Sequence, residues 1–297
     1  MEPVALRGLN SVVRCARIAL LGLSFPFAAL ARPAIAGETA VDLELVLAVD
    51  VSFSMDHHEQ FIQRTGYVDA FQTPQVVDAI LSGALGRIAV TYVEWGGAAV
   101  QTVPWTMIDS PASAARFAQA LSRQPTRRLP FTSISDTIAF ARHLIASNEI
   151  HAKRKVIDIS GDGPNNYGAP APVARDAAIR EGITIDGLPV MLDNPSSTPT
   201  IADIDAYYQH CVIGGSGAFL MRVETLDGFG ETIRKKLVTE LTGPKLSESP
   251  RQQFRRVVSF TEAAPYNCLI GEELQEHPQR SDPARPQSGV NVPPPKR

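Results

Sequence analysis

The sequence predicts an α/β fold: a doubly wound, mostly parallel sheet with helices on both faces and one antiparallel edge strand. Two observations lead there. From residue 43 onward, dense apolar strand-like stretches alternate with helix-like stretches, the pattern of strands joined by crossover helices of about 10–15 residues. One connection breaks the pattern: Gly96-Gly97-Ala98 is too short for a crossover, so the strands flanking it form a hairpin.

In chain order, LELVLAVD (43–50) is the first strand, and DHHEQFIQRTGYVDAFQ (56–72) spaces Phe61, Val68 and Phe71 along one helical face. RIAVTYVEW (87–95) and AVQTVPW (99–105) are the hairpin strands. SPASAARFAQALSR (110–123) is a helix with Ser110 as N-cap and Pro111 in its first position. SISDTIAFARHLIAS (133–147) opens with a capping box from Ser133 to Asp136. KVIDIS (155–160) is a strand, PVARDAAIREG (172–182) a helix ended by Gly182, and TIDGLPVM (184–191) a strand. AFLMRV (218–223) reads as a further strand and FGETIRKKLVTEL (229–241) as the last helix, closed by Gly243-Pro244.

Residues 1–36 read as a secretory signal peptide. Arg7, Arg14 and Arg17 precede the apolar run IALLGLSFPFAALA, and Ala34-Ile35-Ala36 offers a small-x-small cleavage site. The alternative, a membrane anchor, suits the run less well, because it is interrupted by Pro26 and falls short of about 18 apolar residues. Cys15 precedes the run and is not placed for lipid attachment. No later segment is long and apolar enough to span a bilayer. The mature chain is thus expected to be soluble and exported, to the bacterial periplasm.

Cleavage would remove four arginines and one glutamate, moving the formal charge from -3 to -6. An acidic chain whose basic clusters are the short KRK (153–155) and RQQFRR (251–256) is a poor nucleic-acid binder. Two cysteines remain, Cys211 and Cys268; an even pair in an oxidising compartment suggests a disulfide, the alternative being two buried thiols. The α/β domain is expected over 40–243. Residues 244–274 form an extension apolar enough to pack back on it through Phe254, Val257, Val258, Phe260, Leu269 and Ile270, and residues 275–297 form a disordered tail.

Ligands of an open parallel sheet bind beyond the carboxyl ends of its strands. Asp50, Ser52 and Ser54 lie there after the first strand; if the chain stays extended, the period of two points all three side chains the same way. The later strand ending in ISGDGPNN places Asp162 between two glycines, and RRLPFTSISD delivers Thr132 just before a helix. Acids and hydroxyls without histidine or thiolate suit a hard divalent cation, Mg²⁺ or Mn²⁺, which prefers oxygen ligands and retains waters.

Asp50-Val51-Ser52-Phe53-Ser54 resembles the D-x-S-x-S motif of the von Willebrand factor type A (VWA) domain with its metal-ion-dependent adhesion site, a Rossmann-like fold. Thr132 in FTSISDTI and Asp162 in SGDG match the family's threonine and aspartate in order and context. The match covers about 200 residues, and the whole chain is similar to a group of exported bacterial proteins with this domain. The resemblance implies that Ser52, Ser54 and Thr132 contact the metal as neutral hydroxyls, while Asp50 and Asp162 act directly or through waters. The ion then keeps charge and an open position for the carboxylate of a partner protein. One departure bears on the rim: the second strand ends in VEWGG, where the family more often has a small or aromatic residue followed by a hydroxyl.

His57 and His58 follow the motif but fall at a helix start and read as exposed. Glu94 and Asp158 are acids within apolar strands; they and Asp136 are candidates for a supporting layer around the ligands, and bends or edge exposure would explain the two strand acids equally well. The expected function is a metal-dependent protein-binding module rather than an enzyme. Two alternatives stand beside it. One is a scaffold with a purely structural metal. The other is a metal-dependent hydrolase or phosphatase, disfavoured because Ser52 replaces the second acid of D-x-D-x-T and GGSGA (214–218) lacks the final glycine of G-x-S-x-G.

Overall fold

A computed structural model describes residues 39–192, 201–243 and 266–276. The signal-peptide expectation, on residues 1–36, lies outside them, as do Phe254, Val257, Val258 and Phe260 of the extension and the tail from 277 onward. Among the described residues, five strands form one sheet in the order β3-β2-β1-β4-β5. They are β1 (Thr39–Asp50), β2 (Ile88–Trp95), β3 (Ala99–Ile108), β4 (Ile150–Gly161) and β5 (Thr184–Pro189). β1 pairs in parallel with β2 and β4, β4 with β5, and the edge strand β3 runs antiparallel to β2, as the Gly96-Gly97-Ala98 connection requires.

The alternation along β1 shows why both faces are covered. Leu43, Leu45, Leu47 and Val49 pack on one side with α1 (His57–Ala70), α2 (Pro74–Leu81), α3 (Pro111–Ser122) and α7 (Phe229–Thr242), contributing Tyr67, Val76, Phe117 and Leu237. Val46 and Ala48 pack on the other with α4 (Ile134–Ala146), α5 (Ala171–Arg180) and α6 (Ile204–Tyr207), which continues as a π-helical turn over Tyr208–Val212. A strand buried on both faces must be apolar at nearly every position, which is what LELVLAV supplies. Glu44 is the exception, fully buried, its carboxyl held above the ordinary range by burial against the pull of Lys155.

Three features depart from the sequence expectations. AFLMRV forms no strand; it runs beside β5 and touches it at isolated bridges, Gly187 to Leu220 and Val190 to Val223. Pro189, between the two bridges, has no N–H to give a continuous ladder. Phe61 does not join the buried face of α1 but is 61% exposed. That face instead carries Gln60 and Gln63, whose amides donate to Met55 O (3.2 Å) and Ser160 Oγ (2.8 Å). Third, α2 stands between the first helix and the second strand, where the apolar period predicts no element; Thr73 caps it and Pro74 opens it.

Cys211, in the π-helical turn, is disulfide-bonded to Cys268 with their Cα atoms 5.6 Å apart. The bond tethers a short helix, α8 (Ile270–Glu276), which reaches into the stretch expected to be disordered. Ile270 and Tyr266 pack on the α4–α5 side of the sheet, while Leu269 is 45% exposed. No helix among the described residues is long and apolar enough to cross a membrane.

Candidate functional site

β1 sits between β2 and β4, its following helix packs on one face, and the helix after β4 packs on the other. The chain therefore diverges at the carboxyl ends of β1 and β4, opening the crevice in which doubly wound sheets bind ligands. Beyond Asp50 the chain does not stay extended, as the period-of-two reading supposed. Ser52 bridges Leu129, and the chain then turns, with Met55 N–H donating to Ser52 O at 3.2 Å. Asp56 ends the turn by capping α1: its carboxylate accepts from His58 and Glu59 N–H, and Glu59 Oε2 accepts from Asp56 N–H at 2.7 Å. This reciprocal box fixes the turn, and the turn brings Ser52 Oγ and Ser54 Oγ within 2.8 Å of each other. His57 and His58 are exposed on the first helical turn.

The oxygens continue from there. Asp50 Oδ1 accepts from Ser52 N–H at 2.7 Å, and Ser54 Oγ donates to Asp162 Oδ1 at 2.6 Å, joining the ends of β1 and β4. Thr132 is buried on the neighbouring loop; a Cβ on Gly163 would lie 3.8 Å from its Oγ1, so its hydroxyl faces the turn that carries Asp162. Two bonds of 2.8 Å lock these loops together: Thr132 N–H to Asn166 Oδ1, and Asn166 N–H to Thr132 O. Leu129 N–H to Val51 O (2.9 Å) and Gly97 N–H to Pro130 O (2.6 Å) attach the threonine loop to its other neighbours. Both glycines of VEWGG lie against the threonine loop: a Cβ on Gly96 would meet Leu129 Cβ at 2.6 Å, and one on Gly97 would meet Pro130 O at 2.7 Å.

Electrostatics make this corner deficient in positive charge. Asp50 is fully buried, and burial, with Asp162 nearby, pushes its carboxyl well above the usual range. Burial pushes Asp162 up to about 6 against the opposing bond from Ser54, with Glu59 adding to the rise. Asp50 Oδ2 is buried with no hydrogen-bond partner, a costly state for a carboxylate oxygen. Its surroundings are built close: a Cβ on Gly161 would lie 2.6 Å from it, 3.0 Å from Tyr208 Oη and 3.1 Å from Trp95 Cζ2. The donor set of hydroxyls and two carboxylates, one of them with an orphaned oxygen, fits a hard divalent cation and supplies no soft ligand. Among the described residues no group of three or more His, Cys, Asp or Glu is placed to hold an ion, so a site here depends on serine and threonine oxygens.

The three acids considered for a supporting layer lie in different places. Glu94 is fully buried and ion-paired with Arg64, with Arg127 Nε 3.5 Å away; Arg64 also donates to Gln124 O at 2.7 Å. It thereby holds the segment leading to Thr132. Asp136 lies in the first turn of α4, its N–H capped by Ser133 Oγ at 3.3 Å and its carboxylate against Gly168. Asp158 is buried beneath α7 with Lys236. Burial rules out edge exposure for both strand acids.

Other residues also build the corner. The Asp56-x-x-Glu59 spacing was a legible capping signal. Asn165 offered none: its N–H donates to Tyr207 Oη (3.1 Å), its Oδ1 accepts from Ser135 N–H (3.0 Å), and its Nδ2 donates to Glu272 Oε1 on α8 (2.8 Å). The disulfide-tethered α8 therefore braces the aspartate turn, its Gly271 packed so closely on Asn165 O that no side chain would fit.

The family model described as "Protein of unknown function (DUF1194)" matches residues 40–245. No curated protein sequence matches the chain. Among solved structures, proximal thread matrix protein 1 from the mussel byssus aligns at TM-score 0.50 and 16% identity, over 69% of this chain and 49% of that one. The pilus adhesin SpaC from Lactobacillus rhamnosus GG aligns at TM-score 0.51 and 11% identity, over 69% and 32%. A von Willebrand factor type A protein from Catenulispora acidiphila aligns at TM-score 0.46 and 15% identity, over 69% and 43%. This chain spans less than half the length of each.

Proposed function

Because the chain belongs to the DUF1194 family and has the VWA fold, we propose that it is an exported protein-binding module that captures a partner carboxylate through a divalent cation. Asp50, Ser52, Ser54, Thr132 and Asp162 would hold the ion, Mg²⁺ or Mn²⁺. The observation that carries this reading is the buried, unpartnered Oδ2 of Asp50, whose other oxygen accepts from Ser52 N–H while the Ser52 and Ser54 hydroxyls lead on to Asp162. Two acids pressed together in a buried corner repel each other, and a cation relieves that repulsion better than a shared proton.

A bound divalent ion would be balanced formally by Asp50 and Asp162, and with the other three protein ligands neutral hydroxyls it would stay Lewis-acidic towards a further oxygen ligand. The protein's own residues do the rest. The Asp56–Glu59 box fixes the serine turn, Asn166 fixes the threonine loop, and Gly161 keeps the floor close to Asp50. A carboxylate from another protein is the complementary group. The adhesin and the byssal matrix protein with this fold lend this reading analogy and no more.

Calorimetric titration of chelator-treated protein with Mg²⁺ and Mn²⁺ tests it. Saturable one-site binding lost in Ser52→Ala/Ser54→Ala is expected; equal titration of both proteins would refute it. A second reading, a purely structural ion, is favoured by the burial of Asp50 and Ser52. It predicts metal binding and stabilisation without any metal-dependent capture of acidic peptides.

A further inference from the structure

Each loop that brings oxygen to the corner also carries one large aromatic side chain turned to solvent. Phe53 lies between Ser52 and Ser54 and is 52% exposed, Phe131 immediately precedes Thr132 and is 44% exposed, and Tyr167 follows Asp162 in its turn and is 49% exposed. A single exposed apolar side chain needs no explanation. Three from three loops around one site do, particularly as two of them form a platform: the Phe131 and Tyr167 rings stack with centroids 5.0 Å apart and planes 18° apart. On the other side, Arg128 donates to Phe53 O at 2.7 Å and holds its guanidinium 5.2 Å from the Phe53 ring centroid.

The backbone is committed to this arrangement. Phe131 is the residue other than glycine that takes a positive φ, 62°, among the described residues. That conformation is unfavourable for a side chain with a Cβ and persists where its surroundings impose it, often at binding sites. Here Gly97 imposes it, donating to Pro130 O and leaving 3.2 Å between its own would-be Cβ and Phe131 Cβ. The conformation turns Phe131 outward at the rim, whereas Thr132 beside it is buried.

The geometry points to a specific class of partner: a protein segment whose acidic residue is flanked by aromatic side chains, the acid directed to the ion and the rings to the Phe131–Tyr167 platform and to Phe53. This rests on the metal-dependent reading above and adds the selectivity that reading lacks. Charge complementarity selects the acid, since a divalent cation in the corner would favour an anionic oxygen over a neutral one. Ring stacking selects its neighbours, as aromatic residues do at interface hot spots.

The test uses three fluorescein-labelled pentapeptides with blocked ends, read by polarisation on the Mn²⁺-loaded protein: a central Asp flanked by Phe on both sides, the same Asp flanked by Ala, and Asn flanked by Phe. The Phe-flanked Asp peptide should bind about twofold to tenfold tighter per engaged ring than the Ala-flanked one, and the Asn peptide weakly. The preference should shrink in Tyr167→Ala, shrink further in Phe131→Gly/Tyr167→Ala, where glycine suits the positive φ, and vanish when Phe53→Ala is added. Mn²⁺ is titrated alone into every protein. Equal affinity for the Phe- and Ala-flanked peptides with normal Mn²⁺ binding overturns the aromatic selectivity and leaves the metal reading standing; failure to bind Mn²⁺ overturns both. Binding of polygalacturonate in preference to either Asp peptide would also overturn it, in favour of an acidic polysaccharide.

Discussion

Lys236 Nζ stands 2.6 Å from Asp158 Oδ1, and both side chains are buried between α7 and the sheet. Lys236 also pairs with Glu240, and Asp186 adds a third acid nearby. Burial works to lower the lysine's pKa, but Asp158, Glu240 and Asp186 together hold it above its ordinary value, so it stays charged. Lys236→Met would strand Asp158 and Glu240 and leave Asp186 only the pull of Arg154. It is expected to cost about 3–5 kcal/mol of unfolding free energy, measured by urea denaturation, and a loss under 1 kcal/mol would refute this account of how α7 is held.

The same cluster has a pH signature. Burial pushes the Asp186 carboxyl up to about 6 against the pull of Lys236. A carboxyl whose folded pKa is raised contributes stability that is complete below its unfolded pKa, near 4, and lost as pH rises through the folded value. Asp186→Asn should therefore be more stable than the native protein at pH 7, by at most about 3 kcal/mol, and the advantage should disappear towards pH 4. Asn can still accept the bond that Asp186 Oδ1 takes from Phe219 N–H at 3.0 Å. Melts of both proteins between pH 4 and 7 decide it; a constant difference would exclude the titration.

Gly161→Ala would push a methyl group to 2.6 Å from Asp50 Oδ2 and close to Tyr208 and Trp95. Overpacking of about 1–3 kcal/mol is expected, with at least a tenfold loss of Mg²⁺ affinity by calorimetry. Gly182→Ala is the control: its φ is 75° with nothing within 4 Å of a Cβ. It should cost about 1 kcal/mol through backbone strain and leave Mg²⁺ affinity unchanged.

Asp50→Asn separates two effects of one carboxyl. Burial, then Asp162, disfavour its charge in the metal-free protein, so the substitution should raise metal-free stability at pH 7. It should also abolish the stabilisation expected of Mg²⁺ on the native protein under the proposed reading, about 2.7 kcal/mol at a hundredfold excess over Kd. Thermal melts with and without Mg²⁺ test both; an Asp50→Asn protein still stabilised by Mg²⁺ would place the ion elsewhere.

Reduction of Cys211–Cys268 opens a bond with a sequence separation of 57. A loss of about 2–4 kcal/mol is expected. Because α8 reaches Asn165 through Glu272, amide exchange over 162–167 should accelerate in Cys268→Ser while that of β1 stays slow. Unchanged exchange there would mean that α8 does not brace the aspartate turn.

What the sequence determined by itself was local. The apolar period and crossover spacing of strands and helices are set by neighbours a few residues apart, so the doubly wound sheet, the Gly96–Gly97 hairpin and the capped start of α3 were legible without coordinates. So was the placement of Asp50 and Asp162 at strand ends, because a strand's carboxyl end is where a parallel sheet exposes side chains. Tertiary structure decided what depends on distant partners. Ser54 meets Asp162 across 108 residues, through a turn where an extended chain was expected. Phe61 faces solvent because Gln63 finds Ser160 on β4, and AFLMRV fails as a strand because Pro189 sits opposite it. Asp158, read alone as a supporting acid of the crevice, is ion-paired with Lys236 on α7. A buried charge is assigned by whichever opposite charge the fold packs against it, and that pairing has no local period to read.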